Sequence, residues 1–198
     1  MSFKDLLREK ILSYGTYFDE EVLEIGLQKF KTIKINAGDH LINSGDVISE
    51  LFIAEKSISR AYIITENGEE RTLWIEPEMS FLTDMESFRR GTTNQMNVQL
   101  YEDSDVMYIE REDLVELYAK YHQWSLFGIS LAEEYLIYVF KITNLMFAND
   151  ATSNYQLIEQ YYPRFLDIVP LKHIASRLNI SPISISRIRN DKQKRKLD

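Results

Sequence analysis

The side chains best suited to chemistry on a polyanion are gathered between Val169 and Lys192. Lys172, Arg189 and Lys192 suit contacts to phosphate, and Ser181, Ser184 and Ser186 can bond phosphate oxygens or base edges. Arg187 has the planar fork that reads a guanine edge through two parallel hydrogen bonds. Such a set works only if something holds it at groove spacing, and the neighbouring residues describe that support. Ala175 is small, as required where two helices cross closely. Asn179 stands four residues on, where a tight turn wants a residue that tolerates positive φ. Ser181-Pro182 then offers an N-cap followed by proline at the first helical position. Ile174, Leu178, Ile185 and Ile188 recur at helical spacing and can bury one face of each helix, leaving Ser184, Arg187, Asn190 and Asp191 outside. The pattern predicts a helix-turn-helix directed at double-stranded DNA.

Charge agrees with that expectation. Residues 168–198 hold eight Lys/Arg and two Asp, a net of +6, whereas the whole chain is −8, so residues 1–167 carry −14. A basic end on an acidic body meets phosphate while the rest repels misdocked DNA.

Composition bounds the alternatives. The 198 residues are 44% hydrophobic and 12% aromatic, enough for a substantial core, and contain no cysteine. Thiolate catalysis, disulfides, Cys-ligated zinc and Cys-held iron–sulfur clusters are therefore excluded. His40 and His122 lack any evident second ligand for a haem, so no metal site is expected. The acidic neighbours Asp19-Glu20-Glu21, Glu69-Glu70, Glu102-Asp103, Glu112-Asp113 and Glu133-Glu134 diverge at turns or on helices and form no general acid/base pair. No catalytic residue and no cofactor are predicted. The N-terminus has no hydrophobic signal region and no apolar run is long enough to span a bilayer, so the expected location is the cytoplasm, away from membranes.

The elements ahead of the helix pair follow from periodicity. Residues 2–14 and 19–29 read as amphipathic helices. From Phe30 the pattern turns to short strands: around Ile33 and Ile35, His40 to Ile42, Leu51 to Ile53, Ser57 to Ile64, Arg71 to Ile75, Met96 to Tyr101 and Val106 to Ile109. Asn67-Gly68 between two of them is a strong hairpin signal. Strands this short, broken by turns, predict an antiparallel barrel or sandwich. Helices return at Asp113 to Tyr121, then at about 124–148, where Leu126, Ile129, Leu136, Val139, Phe140 and Thr143 lie near one face and Tyr135, Ile137, Tyr138 and Met146 widen it. A helix so apolar must bury two faces, one on its own chain and one against a second copy. A further helix starts at Tyr155, with a break at 162–165.

This order, together with Ala37-Gly38-Asp39-His40-Leu41-Ile42-Asn43-Ser44-Gly45-Asp46 and the segment from Ile174 to Arg189, resembles the Crp/Fnr family of bacterial transcription regulators. The resemblance implies an α+β chain: a cyclic-nucleotide-binding-like jelly roll (a double-stranded β-helix) over residues 1–122, a dimerisation helix over 123–148 and a helix-turn-helix domain over 149–198. It also implies a homodimer bound to DNA half-sites about one helical turn apart, with RNA polymerase as a further expected partner.

Two features depart from the family pattern. Where cyclic-nucleotide binders carry Gly-Glu and later Arg-Ser, this chain has Thr83-Asp84 and Asn94-Gln95. These four residues mark the candidate effector site, but Asn94 cannot supply the charge-assisted phosphate bond of an arginine. The nearby Arg89 and Arg90 are expected in an exposed loop. Binding of cAMP or cGMP at physiological concentration is therefore not expected. At the start of the recognition helix the family's Arg-Glu is replaced by Pro182-Ile183, only Arg187 is kept, and the customary β-hairpin wing is missing or reduced to residues 192–196. A rival reading follows: a ligand-sensing or protein-interaction module that no longer reads DNA specifically.

Overall fold

The computed structural model describes the backbone of residues 2–195, and their side chains except Met146, Phe147 and residues 191–195. Two helices open the chain, α1 (Phe3–Leu12) and α2 (Glu20–Leu27). Eight strands follow: β1 (Lys31–Ile35), β2 (His40–Ile42), β3 (Glu50–Ala54), β4 (Ser59–Ile64), β5 (Glu70–Glu76), β6 (Phe81–Leu82), β7 (Asn97–Leu100) and β8 (Ser104–Glu110). A short helix, α3 (Met85–Arg90), interrupts them after β6. The rest is helical: α4 (Arg111–Lys120), α5 (His122–Ala148), α6 (Ala151–Tyr161), α7 (Pro163–Ile168), α8 (Leu171–Arg177) and α9 (Pro182–Arg195).

The strands form two antiparallel four-stranded sheets, ordered β1-β8-β3-β6 and β2-β7-β4-β5. Ile42, Phe52, Ala61, Val98, Leu100 and Val106 are buried together as the core of the roll. The β4–β5 hairpin turns at Asn67-Gly68 as the dipeptide suggests, yet only Gly68 adopts positive φ there. Gly68 N–H bonds the carbonyl of Thr65, and Thr65 N–H bonds that of Glu69. That is a three-residue loop closed by a left-handed glycine, the next commonest hairpin after the two-residue primed turn.

One irregularity on β5 shapes the molecule. Register slips between Ala61, opposite Trp74, and Tyr62, opposite Thr72, so Leu73 is an extra residue. In an unbroken strand, residues three apart face opposite sides. The bulge lets Thr72 and Ile75 both face outward toward the C-terminal helices, while Leu73, Trp74 and Glu76 face the interior of the roll.

Three elements escaped the sequence reading, among them α7, a proline-started helix that covers most of the break expected at 162–165. β6 is two residues long, and α3 occupies the stretch taken as an exposed loop around Arg89 and Arg90. Asp84 caps α3 by accepting the Ser87 N–H at 2.8 Å, and left-handed Gly91 ends it. Arg89 and Arg90 are exposed as expected but lie on this helix, where Arg90 pairs with Glu86 one turn back at 2.8 Å.

The long helix α5 does bury one face. Trp124 and Phe127 pack with Leu7, Ile11, Leu23, Leu51 and Ile109 beneath the N-terminal helices. Trp124 lies directly on the backbone of Gly26, and its indole N–H bonds the Val22 carbonyl at 2.9 Å. Leu126, Ile129, Leu136, Ile137 and Phe140 are exposed, with Phe140 at 66%.

A methyl group at Gly26 would collide with the Trp124 ring. Gly→Ala in a helix ordinarily gains about 1 kcal/mol. Gly26→Ala is expected to reverse that sign, costing about 1–3 kcal/mol by overpacking. Urea or thermal unfolding checks this, and an unchanged or raised midpoint would refute the packing described.

Candidate functional site

Two places gather the predicted functional residues. The first is the C-terminal helix pair. Asn179 has φ 55°, the left-handed conformation expected of it, and Ser181 caps α9 by accepting the Ser184 N–H at 3.1 Å. Ile174, Ala175 and Ile185 are buried, with Leu178 and Ile188 packed against them. Since α9 advances 100° per residue, Ile183, Arg187 and Asn190 share the face opposite Ile185. All three are exposed, as are Lys172, Ser181 and Arg189.

The serines have local partners. The Ser184 hydroxyl lies 2.9 Å from that of Ser181, and the Ser186 hydroxyl donates to the Pro182 carbonyl at 3.0 Å. These hydroxyls are engaged at the helix start, whereas Arg187 is exposed on the face opposite Ile185. Lys192 lies within α9, but its side chain is outside the described residues. The basic segment thought to replace a wing continues α9 as far as Arg195.

How the pair is held was not visible from the sequence. α8 packs on the outer face of β5, and the junction centres on Arg60, whose side chain is 1% exposed. Arg60 donates from Nε to the Thr72 hydroxyl (2.9 Å) and from Nη1 to Glu70 (2.6 Å) and to His173 Nε2 (3.1 Å). Its guanidinium lies 4.2 Å from the centre of the Tyr62 ring, and the Tyr62 hydroxyl reaches His40 Nε2 at 2.8 Å. Because a guanidinium can only donate, His173 Nε2 must be the unprotonated nitrogen. The proton then sits on Nδ1, which meets the Tyr101 hydroxyl at 2.7 Å. Burial pushes the His173 pKa down to about 4, and the Arg60 and Lys172 charges push the same way.

Further ties support the junction. Ser176 Oγ accepts the Thr72 N–H, and Arg71 donates to Asn179 Oδ1 at 3.0 Å. Arg164 on α7 donates to both carboxylate oxygens of Glu102 (2.6 and 2.8 Å) and to Glu78 (2.8 Å). Of the carboxylates read as solvated, Glu102 thus joins the roll to α7, and Glu70 pairs with Arg60 inside the junction.

The second place is a cavity of about 220 Å³ inside the roll. Its walls include Trp74, Phe81 and Val98 from the strands, Met96 just ahead of β7, Thr83 to Glu86 at the start of α3, and Tyr135, Tyr138 and Val139 from α5. Of the four candidate effector residues, Thr83 and Asp84 line it. Thr83 donates its hydroxyl to the Glu50 carbonyl at 2.9 Å. Asn94 and Gln95 are not among the lining residues. Asn94 is buried, and its amide holds the 43–46 turn through the carbonyls of Asn43 (2.6 Å) and Asp46 (3.2 Å). Gln95 is exposed.

A further ionisable group of the cavity wall, Glu76, carried no sequence signal. Burial pushes its pKa up to about 7, against the lowering effect of the Tyr138 hydroxyl and of Arg177 and Lys10. Among the described residues no group of three or more His, Cys, Asp or Glu could hold a metal ion, and no helix could cross a membrane.

Arg60→Met is expected to loosen α8 on the roll by on the order of 2 kcal/mol, since it leaves the buried His173 nitrogen without its donor. Hydrogen exchange should then quicken about 30-fold over residues 171–188 and leave the roll core protected; exchange unchanged at α8 would refute the junction. Protonated His173 would set a second cation against Arg60. Its contribution to stability is thus complete above about pH 6.5 and is lost as pH falls toward 4. Glu76, shifted upward, contributes in the opposite sense, losing stability as pH rises from 4.5 to about 7. Arg60→Met should flatten the acid-side loss measured at α8 by exchange.

Residues 32–121 match the family described as the cyclic nucleotide-binding domain. No curated protein matches the chain. Among solved structures it is similar to the catabolite activator protein of Thermus thermophilus, with 16% identity over 94% of this chain and 87% of that one and a TM-score of 0.56. It is similar to FixK2 from Bradyrhizobium japonicum, with 10% identity, 84% and 85% coverage and a TM-score of 0.71. It is also similar to the c-di-GMP-responsive global regulator CLP of Xanthomonas campestris, with 14% identity, 90% and 94% coverage and a TM-score of 0.67. At these identities the likeness is one of fold. Residues 32–121 thus match the cyclic nucleotide-binding domain, and the chain shares the fold of the catabolite activator protein, FixK2 and CLP: a β-roll of two antiparallel sheets with long helices.

Proposed function

We propose that this protein is a dimeric, sequence-specific DNA-binding transcription regulator, not an enzyme, whose effector is not cAMP. The observation that carries the reading is the α8–turn–α9 unit. Its apolar face is buried at Ile174, Ala175 and Ile185, its cap and turn residues hold the helices at a fixed angle, and the opposite face of α9 presents Arg187 to solvent. A face of this kind enters a major groove, where one bidentate Arg–guanine pair discriminates bases by about 1–3 kcal/mol.

Dimerisation is supported by the outer face of α5. Leu126, Ile129, Leu136 and Phe140 fall at alternating spacings of the heptad kind, with Glu133 between them, and all are exposed. Large apolar side chains in one stripe are the mark of an interface between copies. A two-fold pair of α5 helices would carry two copies of α9, suiting half-sites about one helical turn apart.

The cAMP expectation rests on charge. The residues lining the roll cavity include Glu76, Asp84 and Glu86 and no Lys or Arg. A cyclic phosphate placed there would meet no cation to offset its desolvation.

A second reading is favoured by Ile183, 67% exposed at the start of α9, which would suit a protein partner better than a groove. Selection from a genomic-fragment library with the purified chain, near physiological salt and without nucleotide, separates the two. A recovered two-fold-symmetric sequence is the expected result. Arg187→Ala should then relax specificity at one base position, whereas Lys192→Ala should weaken all sequences alike and flatten the salt dependence. Sequence-blind retention with a shallow salt slope would favour the protein-interaction reading.

A further inference from the structure

The geometry points to a small organic cation, an amine or quaternary ammonium on a body the size of one ring, as the ligand of the roll cavity. The inference rests on reading that cavity as the regulator's effector site. Size sets the first limit. The cavity is about 220 Å³, against about 150 Å³ for a dry protein cavity that admits benzene and about 300–1,000 Å³ for ordinary ligand pockets. A single ring with a few further atoms fits, whereas a nucleotide needs more room.

The walls set the second limit. Trp74, Phe81, Tyr135 and Tyr138 surround the space with aromatic surface, the other strand residues are Ser59, Ala61, Leu73, Leu82 and Val98, and Met96 adds to them just ahead of β7. Aromatic faces attract a cation through the ring quadrupole and do so most strongly when it is desolvated, the arrangement used for quaternary ammonium groups. Phe81 also packs edge-on to Phe127 in the core under the N-terminal helices, which anchors that wall.

Charge sets the third. Glu76 contributes a carboxyl from β5 inside the cavity, and Asp84 and Glu86 contribute two more where α3 begins. Glu86 is paired with Arg90, and Asp84 is occupied with one oxygen as the cap of α3. Glu76 is the carboxyl set against the aromatic walls. The groups around it are Lys10 and Tyr14 from α1, Tyr135 and Tyr138 from α5, Tyr162 at the start of α7, and Arg177 from α8. Neither cation lines the cavity, and Arg177 lines a separate space on the far side of Tyr138.

The same arrangement suggests how occupancy is felt. Tyr138 and Arg177 both favour the ionised form of Glu76, and the Arg177 guanidinium stands 5.9 Å from the Trp74 ring. A cation beside Glu76 keeps that carboxyl ionised. It thereby changes the balance among Glu76, Tyr138 and Arg177, which sit on the roll, on α5 and on α8.

Isothermal calorimetry on the full chain tests the inference with benzyltrimethylammonium, benzyl alcohol, benzoate and cAMP as probes. At pH 8 the ammonium probe is expected to bind at least 10-fold more tightly than benzyl alcohol, with no binding of benzoate or cAMP. Its affinity should fall between pH 8 and pH 6, where Glu76 takes up a proton. Glu76→Gln should lose about 10-fold, and Trp74→Leu a comparable factor, with thermal unfolding of each variant showing that the fold persists. Equal binding of benzyl alcohol and the ammonium probe, binding of benzoate or cAMP in its place, or no binding of the ammonium probe at millimolar concentration would each overturn the inference. Calorimetry is independent of the DNA selection. Loss of amine binding with sequence selection intact rejects the ligand alone, and amine binding without sequence selection rejects the regulator reading alone.

Discussion

The docking of α8 on the roll centres on one buried cation. Arg60 stands on a central strand of the roll, points outward, and would be untenable there if nothing covered and paired it, because an isolated buried charge costs several kcal/mol. α8 supplies the cover and His173 one of the acceptors, while Glu70 and Thr72 from the neighbouring strand supply the others. The contact is directional in a way that apolar packing is not. A guanidinium and an imidazole meet only when the histidine is neutral and turned to present Nε2, so the junction prescribes both a tautomer and a helix orientation. Ile58, Ile75, Phe165, Ile174 and Ile185 then fill the surrounding apolar space. Burial supplies the larger share of the attraction, and the Arg60 cluster decides the angle at which it is realised.

The bulge at Leu73 makes that junction compatible with a hollow roll. Without it, Thr72 and Ile75 could not both serve the outer face, and Trp74 and Glu76 could not both serve the inner one. A single inserted residue thereby ties the cavity lining to the docking surface for α8. Tyr138, on α5, touches the cavity on one side and the space below α8 on the other. Cavity, long helix and C-terminal pair are thus mechanically adjacent. This is the physical requirement for an effector to bias a reader some distance away, since a ligand shifts an equilibrium only through contacts that differ between its states.

Much of the fold was legible because it rests on local signals. Asn179 took its left-handed turn, Ser181-Pro182 started a helix, Asn67-Gly68 closed a hairpin, and the alternation from Phe30 onward gave the strands to within a few residues. The two-residue β6 and the six-residue α3 were too short to show a period. The loop assigned to Arg89 and Arg90 became a helix because Asp84 and Gly91 bound it at the two ends. The candidate effector residues divided for a related reason. Thr83 and Asp84 sit where the chain enters the cavity, while Asn94 is occupied as a scaffold for the 43–46 turn, a use that pairs backbone carbonyls about fifty residues away.

Sequence alone determined the types of the longer elements, the polarity of their faces and the sign of charge at each end, because these follow from side-chain spacing within a few residues. Tertiary structure decided which ionisable groups matter. Arg60, His173, Glu76 and Tyr138 are ordinary residues in ordinary strands and helices. The pairing of Arg60 and the altered protonation of His173, Glu76 and Tyr138 come from neighbours up to about a hundred residues distant, brought together by the closing of the roll and the docking of α8 on it. Burial and partner charge, which set a group's protonation, exist only once the chain has folded.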